Sequence, residues 1–429
     1  MKRRQFVKLI AAMSSAALFT LPCPLAAGAE SFEPAGQAVN ALGLDLLLKA
    51  TDGKANALLS PYSIQSALAM TFAGAAGDTR DEMARVLHYT GDEAELHQSF
   101  AAMQKALAEV AKKTAQRAEN AKKYGGPSEP VTLTVANRLF GQQGYEFRQP
   151  FLALTRDTYG APFQPMDFIR NASAARLEIN SWVEDQTRQR IRDLIPADGI
   201  DRDTRLVLVN ALYLKAPWAQ EFSTNATKPR PFHVNGGATL DVPTMERQDR
   251  FGFAERDGYR VVTVPYSGSD VQFLILLPDA VNGLGALEAK LTPHHLATAA
   301  NPGTAEIKLQ LPKLKLEPPV LRLSEALIGL GMKSAFDKPE GSANFDRMAP
   351  RKPDDYLKIS EVFHKTFLEL DEKGTEAAAA TAVVMMRPTS VAGEKPKPIE
   401  VRVDRPFLFA IQHRPSGACL FLGRVTNPL

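Results

Sequence analysis

Ser60, Ser63 and His364 are of the types that make a hydroxyl nucleophile and its base, and His294-His295 of a type that ligates metals. Neither chemistry finds its usual surroundings. The chain has no GxSxG turn to expose a serine, no HExxH pair on one helix face and no Walker phosphate loop. The plainer expectation is that Ser60, Ser63 and His364 share a buried hydrogen-bond network and that the histidine pair caps a helix. On this reading the chain is not an enzyme, holds no metal and needs no cofactor.

A different chemistry is written in "EKGTEAAAATAVVMMR", residues 372–387. Its first half is helix-forming alanine, its second β-branched. As a strand, it would place Thr375, Ala377, Ala379, Thr381 and Val383 on one face and Glu376, Ala378, Ala380, Ala382 and Val384 on the other. The first face has no charge and nothing large, so it can slide over a packed core. Glu376 would turn to solvent, and Gly374 supplies the permissive backbone of a hinge. No proline interrupts residues 374–387, so each can donate to a ladder; Pro388, Pro396 and Pro398 then stop it. Fourteen residues at about 3.3 Å each make roughly 46 Å of strand. An exposed alanine-rich helix or a plain linker would have the same composition.

The elements around this segment form an α+β pattern, with helices crowding the first third and strands the rest. Ser60 and Pro61 open a helix running into "SIQSALAMTFAGAAG", 77–89 and 95–123 give further helices, and 173–191 an amphipathic one. The polar stretch that closes the 95–123 helix, running on to 130, reads as a surface excursion. Strands are expected at 131–140, 205–214, 270–278, 306–316, 356–370, 399–403, 407–413 and 418–425, several of them apolar enough to be covered on both faces. No linker divides the chain after its leader.

That leader is residues 1–29: basic at the start, apolar over a stretch short for a membrane span, and ending in the small residues 27–29. Arg3-Arg4-Gln5-Phe6-Val7-Lys8 follows the twin-arginine export pattern, which implies a periplasmic or secreted protein. The whole chain carries a formal charge of +3. Losing Lys2, Arg3, Arg4 and Lys8 leaves 47 basic against 48 acidic residues, a net −1. No nucleic-acid or membrane surface is implied. Cys419 is then the sole cysteine, so no internal disulfide holds the fold.

With these elements in place, a family likeness emerges. "NALLSPYSIQSALAM" (56–70), "GAAGDTRDEMARVL" (74–87), "INSWVEDQTRQRIRDLI" (179–195), "LVLVNALYLKAPW" (206–218), "EKGTEAAAAT" (372–381) and "DRPFLFAIQHRPSGACLFLGRVTNP" (404–428) resemble, in order, the motifs of the serpins. Leu214 and Ala216 stand where that family usually has Phe and Gly. The resemblance implies a single domain over 30–429, with helices on a large, mostly antiparallel central sheet, smaller sheets, and a reactive loop at about 372–403. It implies a suicide-substrate inhibitor of serine or cysteine proteases. The protease attacks the loop, and the cleaved loop inserts into the sheet with the acyl-enzyme attached. A non-inhibitory carrier or chaperone is the alternative within the family.

Carried over residue by residue, the hinge is Glu372, Lys373, Gly374, Thr375 and Glu376, followed by Ala377, Ala378, Ala379, Ala380 and Thr381. The polar cluster beneath the opening sheet is Ser60, Ser63, Asn210 and His364, with Trp218 where insertion begins. The family's usual spacing from Gly374 puts the scissile bond at Pro388–Thr389. Proline there is a poor protease site, so candidates run from Met386–Arg387 through Ser390–Val391 and include Met386, Arg387, Pro388, Thr389 and Ser390. Methionine or small residues at the cut suit elastase-, chymotrypsin-, subtilisin- or papain-like enzymes. The expected partner is such a protease, met by a monomer with no nucleic acid and, once the leader is gone, no membrane. The leader reading gives one direct expectation: N-terminal sequencing of the exported protein should begin at Glu30, and Lys in place of both Arg3 and Arg4 should leave the precursor uncleaved.

Overall fold

The computed structural model describes residues 31–49, 51, 53–123, 129–234, 237–353, 355–376 and 397–429. The reactive-bond candidates Met386 to Ser390 and the tract Ala377 to Thr381 lie outside the described residues. The first half runs α1 (Glu33–Lys49), β1 (Ala57–Leu59), α2 (Pro61–Ala73), α3 (Gly77–Val86) and α4 (Glu93–Lys122). It continues with β2 (Thr132–Gln142), α5 (Gln149–Tyr159), β3 (Phe163–Met166), α6 (Phe168–Gln186) and β4 (Leu206–Pro217). Strands β5 (Lys228–His233), β6 (Thr239–Arg256), β7 (Tyr259–Pro265) and β8 (Val271–Pro278) follow, then the short helices α7 (Leu284–Lys290) and α8 (Pro293–Thr298). Next come β9 (Gly303–Pro312), β10 (Leu314–Leu316), β11 (Leu321–Arg322) and α9 (Ser324–Leu330). The chain closes with β12 (Phe363–His364), β13 (Leu368–Leu370), β14 (Gly374–Thr375), β15 (Ile399–Arg402), β16 (Phe407–His413) and β17 (Ala418–Val425).

A six-stranded sheet has the order β10-β13-β14-β4-β2-β3. Both its faces are covered, which is why β4 reads as an almost unbroken apolar run. Helix α2 packs behind β4 and against β17, and it is apolar nearly all round because both sides of it are buried. Helix α6 lies across β2 and β4 from the other side, where Phe140, Val209 and Ala211 meet Phe168, Ile179 and Val183 in a second core cluster. A nine-stranded sheet, β1-β17-β16-β8-β7-β6-β9-β15 with β5 on β6, carries the remaining long strands, and β11 pairs with β12.

Local signals in the sequence set several boundaries. Ser60 caps α2, its hydroxyl accepting from Ser63 N, with Pro61 in the first turn. Thr292 and His295 form a reciprocal capping box at α8. Part of the polar excursion is helix: α4 continues to Lys122, because Thr114 and Ala118 are buried.

One expected strand is broken. Of 356–370, only Phe363–His364 and Leu368–Leu370 are in ladders, with β11 and with β10 and β14 respectively. Strand propensity over 355–362 goes unused because no described strand lies alongside that segment to pair with it.

Candidate functional site: a hinge seated at the head of an open slot

Among the described residues, β4 pairs with β2 from Leu206 to Lys215, but on its other edge only Ala216 and Pro217 have a partner. That partner is β14. It runs antiparallel to β4 through Gly374↔Pro217 and Thr375↔Ala216, and antiparallel to β13 through Leu370↔Thr375. The chain reverses between β13 and β14 in a turn closed by Asp371, whose Oδ1 accepts from Lys373 N at 2.8 Å and Gly374 N at 3.3 Å. Gly374 has φ +148°, and a Cβ there would lie 2.1 Å from the Ala216 carbonyl oxygen. Only glycine fits this close approach.

The turn is tied to its surroundings on every side. Trp218 donates its backbone N–H to Lys373 O (2.8 Å) and its indole N–H to Asp371 O (2.9 Å). Its ring stacks on Tyr266 at 4.5 Å, and the Tyr266 hydroxyl lies 2.6 Å from Thr375 Oγ1. Burial pushes the Tyr266 pKa up, so the phenol stays neutral. Glu372 accepts from Thr227 Oγ1 (2.7 Å) and pairs with Lys313 Nζ (2.8 Å). Burial alone would raise its pKa, but Lys313 and Thr227 together hold the carboxylate below its usual range.

Glu376 differs from the sequence expectation. Its backbone is left-handed, φ +53°, and its side chain is only 4% exposed rather than turned to solvent. The carboxylate sits 2.8 Å from Arg190 Nε, near Tyr213, and burial raises its pKa despite these neighbours. The reason is that the ladder stops here: Glu376 N still donates to Glu369 O at 2.9 Å, but the residue has turned out of the strand toward its charge partner.

Below the hinge lies a cavity of about 730 Å³, bounded by Leu206–Asn210 of β4 on one side and residues 355–364 on the other, with Ser63 and Leu68 of α2 as part of its lining. The polar residues beneath it form one network. Ser60 N donates to His364 Nε2 (3.0 Å), Ser60 Oγ to Leu420 O (2.8 Å) and Ser63 Oγ to Asn210 O (3.3 Å). The Asn210 amide donates to Asn137 Oδ1, and Asn137 Nδ2 to Tyr159 O at 2.7 Å. Burial drives the His364 pKa down to about 4, so Nε2 is a neutral acceptor. Both serine hydroxyls donate to carbonyl oxygens, and His364 faces a backbone amide. This arrangement contains no activated nucleophile.

The sequence-derived residues are therefore brought together in two places: Glu372 to Glu376 with Trp218 at the top of the slot, and Ser60, Ser63, Asn210 and His364 beneath it. Asn137, Tyr213, Tyr266, Thr227, Lys313 and Arg190 were missed. Asn137 had left a signal, an amide interrupting the alternation of "VTLTVANRLF"; the others meet the hinge only across the fold.

The serpin family profile, "Serpin (serine protease inhibitor)", matches residues 37–428. A leukocyte elastase inhibitor of Bos taurus is 37% identical over 396 residues, spanning 90% of this chain and 97% of that protein. An uncharacterized serpin-like protein of Thermococcus kodakarensis is 33% identical over 399 residues, 92% of this chain and 86% of that one. Among solved structures, cleaved Serpin 42Da superposes with a TM-score of 0.76 at 29% identity, covering 92% of this chain and 98% of that one. Uncleaved ovalbumin gives 0.74 at 27%, covering 92% and 99%.

Two measurements test this geometry. Gly374→Ala is expected to cost about 2–4 kcal/mol by urea unfolding and, in a Trp182→Phe background, to red-shift Trp218 emission as β14 leaves its place. His364 has a folded pKa below its unfolded value of 6.5, so its contribution is complete above pH 6.5 and is lost as pH falls toward 4. The stability difference between wild type and His364→Gln should therefore shrink by about 3 kcal/mol over that window.

Proposed function

Because the chain belongs to the serpin family, a family of protease inhibitors with some non-inhibitory members and not of enzymes, we propose that it traps serine or cysteine proteases as a suicide substrate. The carrying observation is β14, already seated antiparallel between β4 and β13 at the head of an open edge. The active-site serine or cysteine of the protease attacks the carbonyl of the scissile bond. The amine on its far side leaves, and the near side stays as an ester or thioester to the enzyme. The freed tract then continues β14 down the slot, carrying the protease with it and distorting its active site before water can deacylate the intermediate.

The register supports this reading. Continuing Thr375↔Ala216 and Thr375↔Leu370 one residue at a time would bring Thr381 between Asn210 and His364, and Met385 opposite Leu206, where β4 begins. Thr381 would share the inward face of Thr375. Its hydroxyl would meet the buried Asn210 Oδ1, which has no hydrogen-bond partner among the described residues. A ladder of that length requires cleavage beyond Met385, in keeping with candidates from Met386–Arg387 onward. Methionine at the cut and the elastase-inhibitor relatives favour an elastase-like target. With residues 1–29 acting as an export leader, the encounter takes place in the periplasm or outside the cell.

Incubation of the mature protein with elastase and with papain, followed by a denaturing gel, decides the reading. Trapping is expected to leave an SDS-stable complex with the protease; cleavage alone would assign the non-inhibitory alternative. Cleavage in the loop should also raise Tm by about 20 °C, since ~20 new backbone hydrogen bonds at roughly 1 kcal/mol each are formed. Thr381→Ala should reduce that gain.

A further inference from the structure

The segment after α6 holds an unusual concentration of left-handed backbone: Arg188 (φ +49°), Gln189 (φ +63°) and Asp193 (φ +49°), none of them glycine. Left-handed backbone is unfavourable for residues that carry a Cβ, so the surroundings must impose the shape. Those surroundings are the two walls of the slot. The Arg188 guanidinium lies over the Tyr213 ring of β4, 5.4 Å from its centroid, while that of Arg190 lies 4.8 Å over Phe367, between β12 and β13. Lys365 Nζ donates to Arg192 O at 2.8 Å from the same side as Phe367. The segment therefore straps β4 to the opposite wall across the path that the tract would follow.

Glu376 is where strap and hinge meet. It is the first residue past β14, its backbone is left-handed, and its carboxylate is paired with Arg190 at 2.8 Å. For the ladder to pass this point, Glu376 must swing to extended geometry and release Arg190. Ala378, the residue that the register would bring between Tyr213 and Phe367, would have to pass beneath the two arginines.

Resting on the insertion reading above, we propose that Arg190 and Glu376 form a latch that holds the hinge at its two-residue depth and sets the rate at which the tract enters the sheet. The pair is electrostatic, and the Arg190 side chain is 44% exposed. It is therefore open to screening by salt and worth a few-fold in rate rather than orders of magnitude. The other groups that face the carboxyl are Arg188 and Glu369.

The test uses the full mature chain, intact and loop-nicked. The intact protein is held below its melting midpoint, and the rate at which a urea-resistant, loop-inserted form accumulates is measured for wild type, Arg190→Ala, Glu376→Gln, the double variant and the charge swap Arg190→Glu/Glu376→Arg. Each single substitution should accelerate conversion about three- to fivefold at low salt. The double variant should be no faster than either single one, and the swap should return toward the wild-type rate. Added salt should speed the wild type and leave the single variants unchanged. Equal rates in all variants, additive effects, or a swap as fast as the singles would overturn the latch while leaving insertion intact. If nicking the wild type brings no gain in stability, insertion itself falls, and the latch with it.

Discussion

A strand edge left open inside a sheet is the constraint around which this molecule is organised. Backbone amides and carbonyls that leave water need partners, and an unpaired edge is a standing invitation to another strand. Along β4, from Leu206 to Lys215, the inner edge has no ladder partner among the described residues, and β14 has taken only the top two places. The Asp371 turn delivers β14 in the one direction that suits both neighbours, since β4 and β13 are each antiparallel to it. Gly374 lets it come close enough, and Trp218, Tyr266 and Glu372 hold it there.

The polar residues under the slot follow from the same constraint. A gap between strands exposes polar atoms that a closed sheet would bury and pair, and the network of Ser60, Ser63, His364, Asn210 and Asn137 supplies partners from the helix behind and the strand beside. Its serines and histidine are of the types a hydrolase uses, but their donors are spent on carbonyl oxygens, and the imidazole is neutral because it is buried. What separates a structural network from a catalytic one here is the direction of the hydrogen bonds and not the residue types.

On the proposed insertion mechanism, metastability would have a physical location in this arrangement. The described fold leaves hydrogen-bonding capacity unused on β4 and an unpartnered amide oxygen on Asn210, while the strap after α6 holds several residues in costly backbone conformations. A tract of small residues entering the slot would satisfy the first two and require the third to yield. Under that proposal, the fold would be kept by a barrier rather than by its depth.

Much was legible from local signals. The α+β class, the Ser60-Pro61 helix start, the histidine cap and the hinge glycine each rest on a preference expressed within a few residues: a cap, a ring-fixed φ, a missing Cβ. Asn137 was readable in principle as a polar break in a strand. The single long strand expected over 356–370 was not realised, because a strand is a property of a pair and no strand lies beside 355–362 among the described residues. Glu376 was placed in solvent because its partners, Arg190 and Tyr213, are more than 160 residues away and carry no mark in their own surroundings. By itself the sequence determined which segment could become a strand, where it could bend and how small its side chains are, since those are properties of short stretches of chain. Only the tertiary structure decided that Gly374 and Thr375 pair with β4, which groups surround Glu376 and which polar atoms lie beneath the open edge, since those depend on groups distant in sequence meeting across a gap.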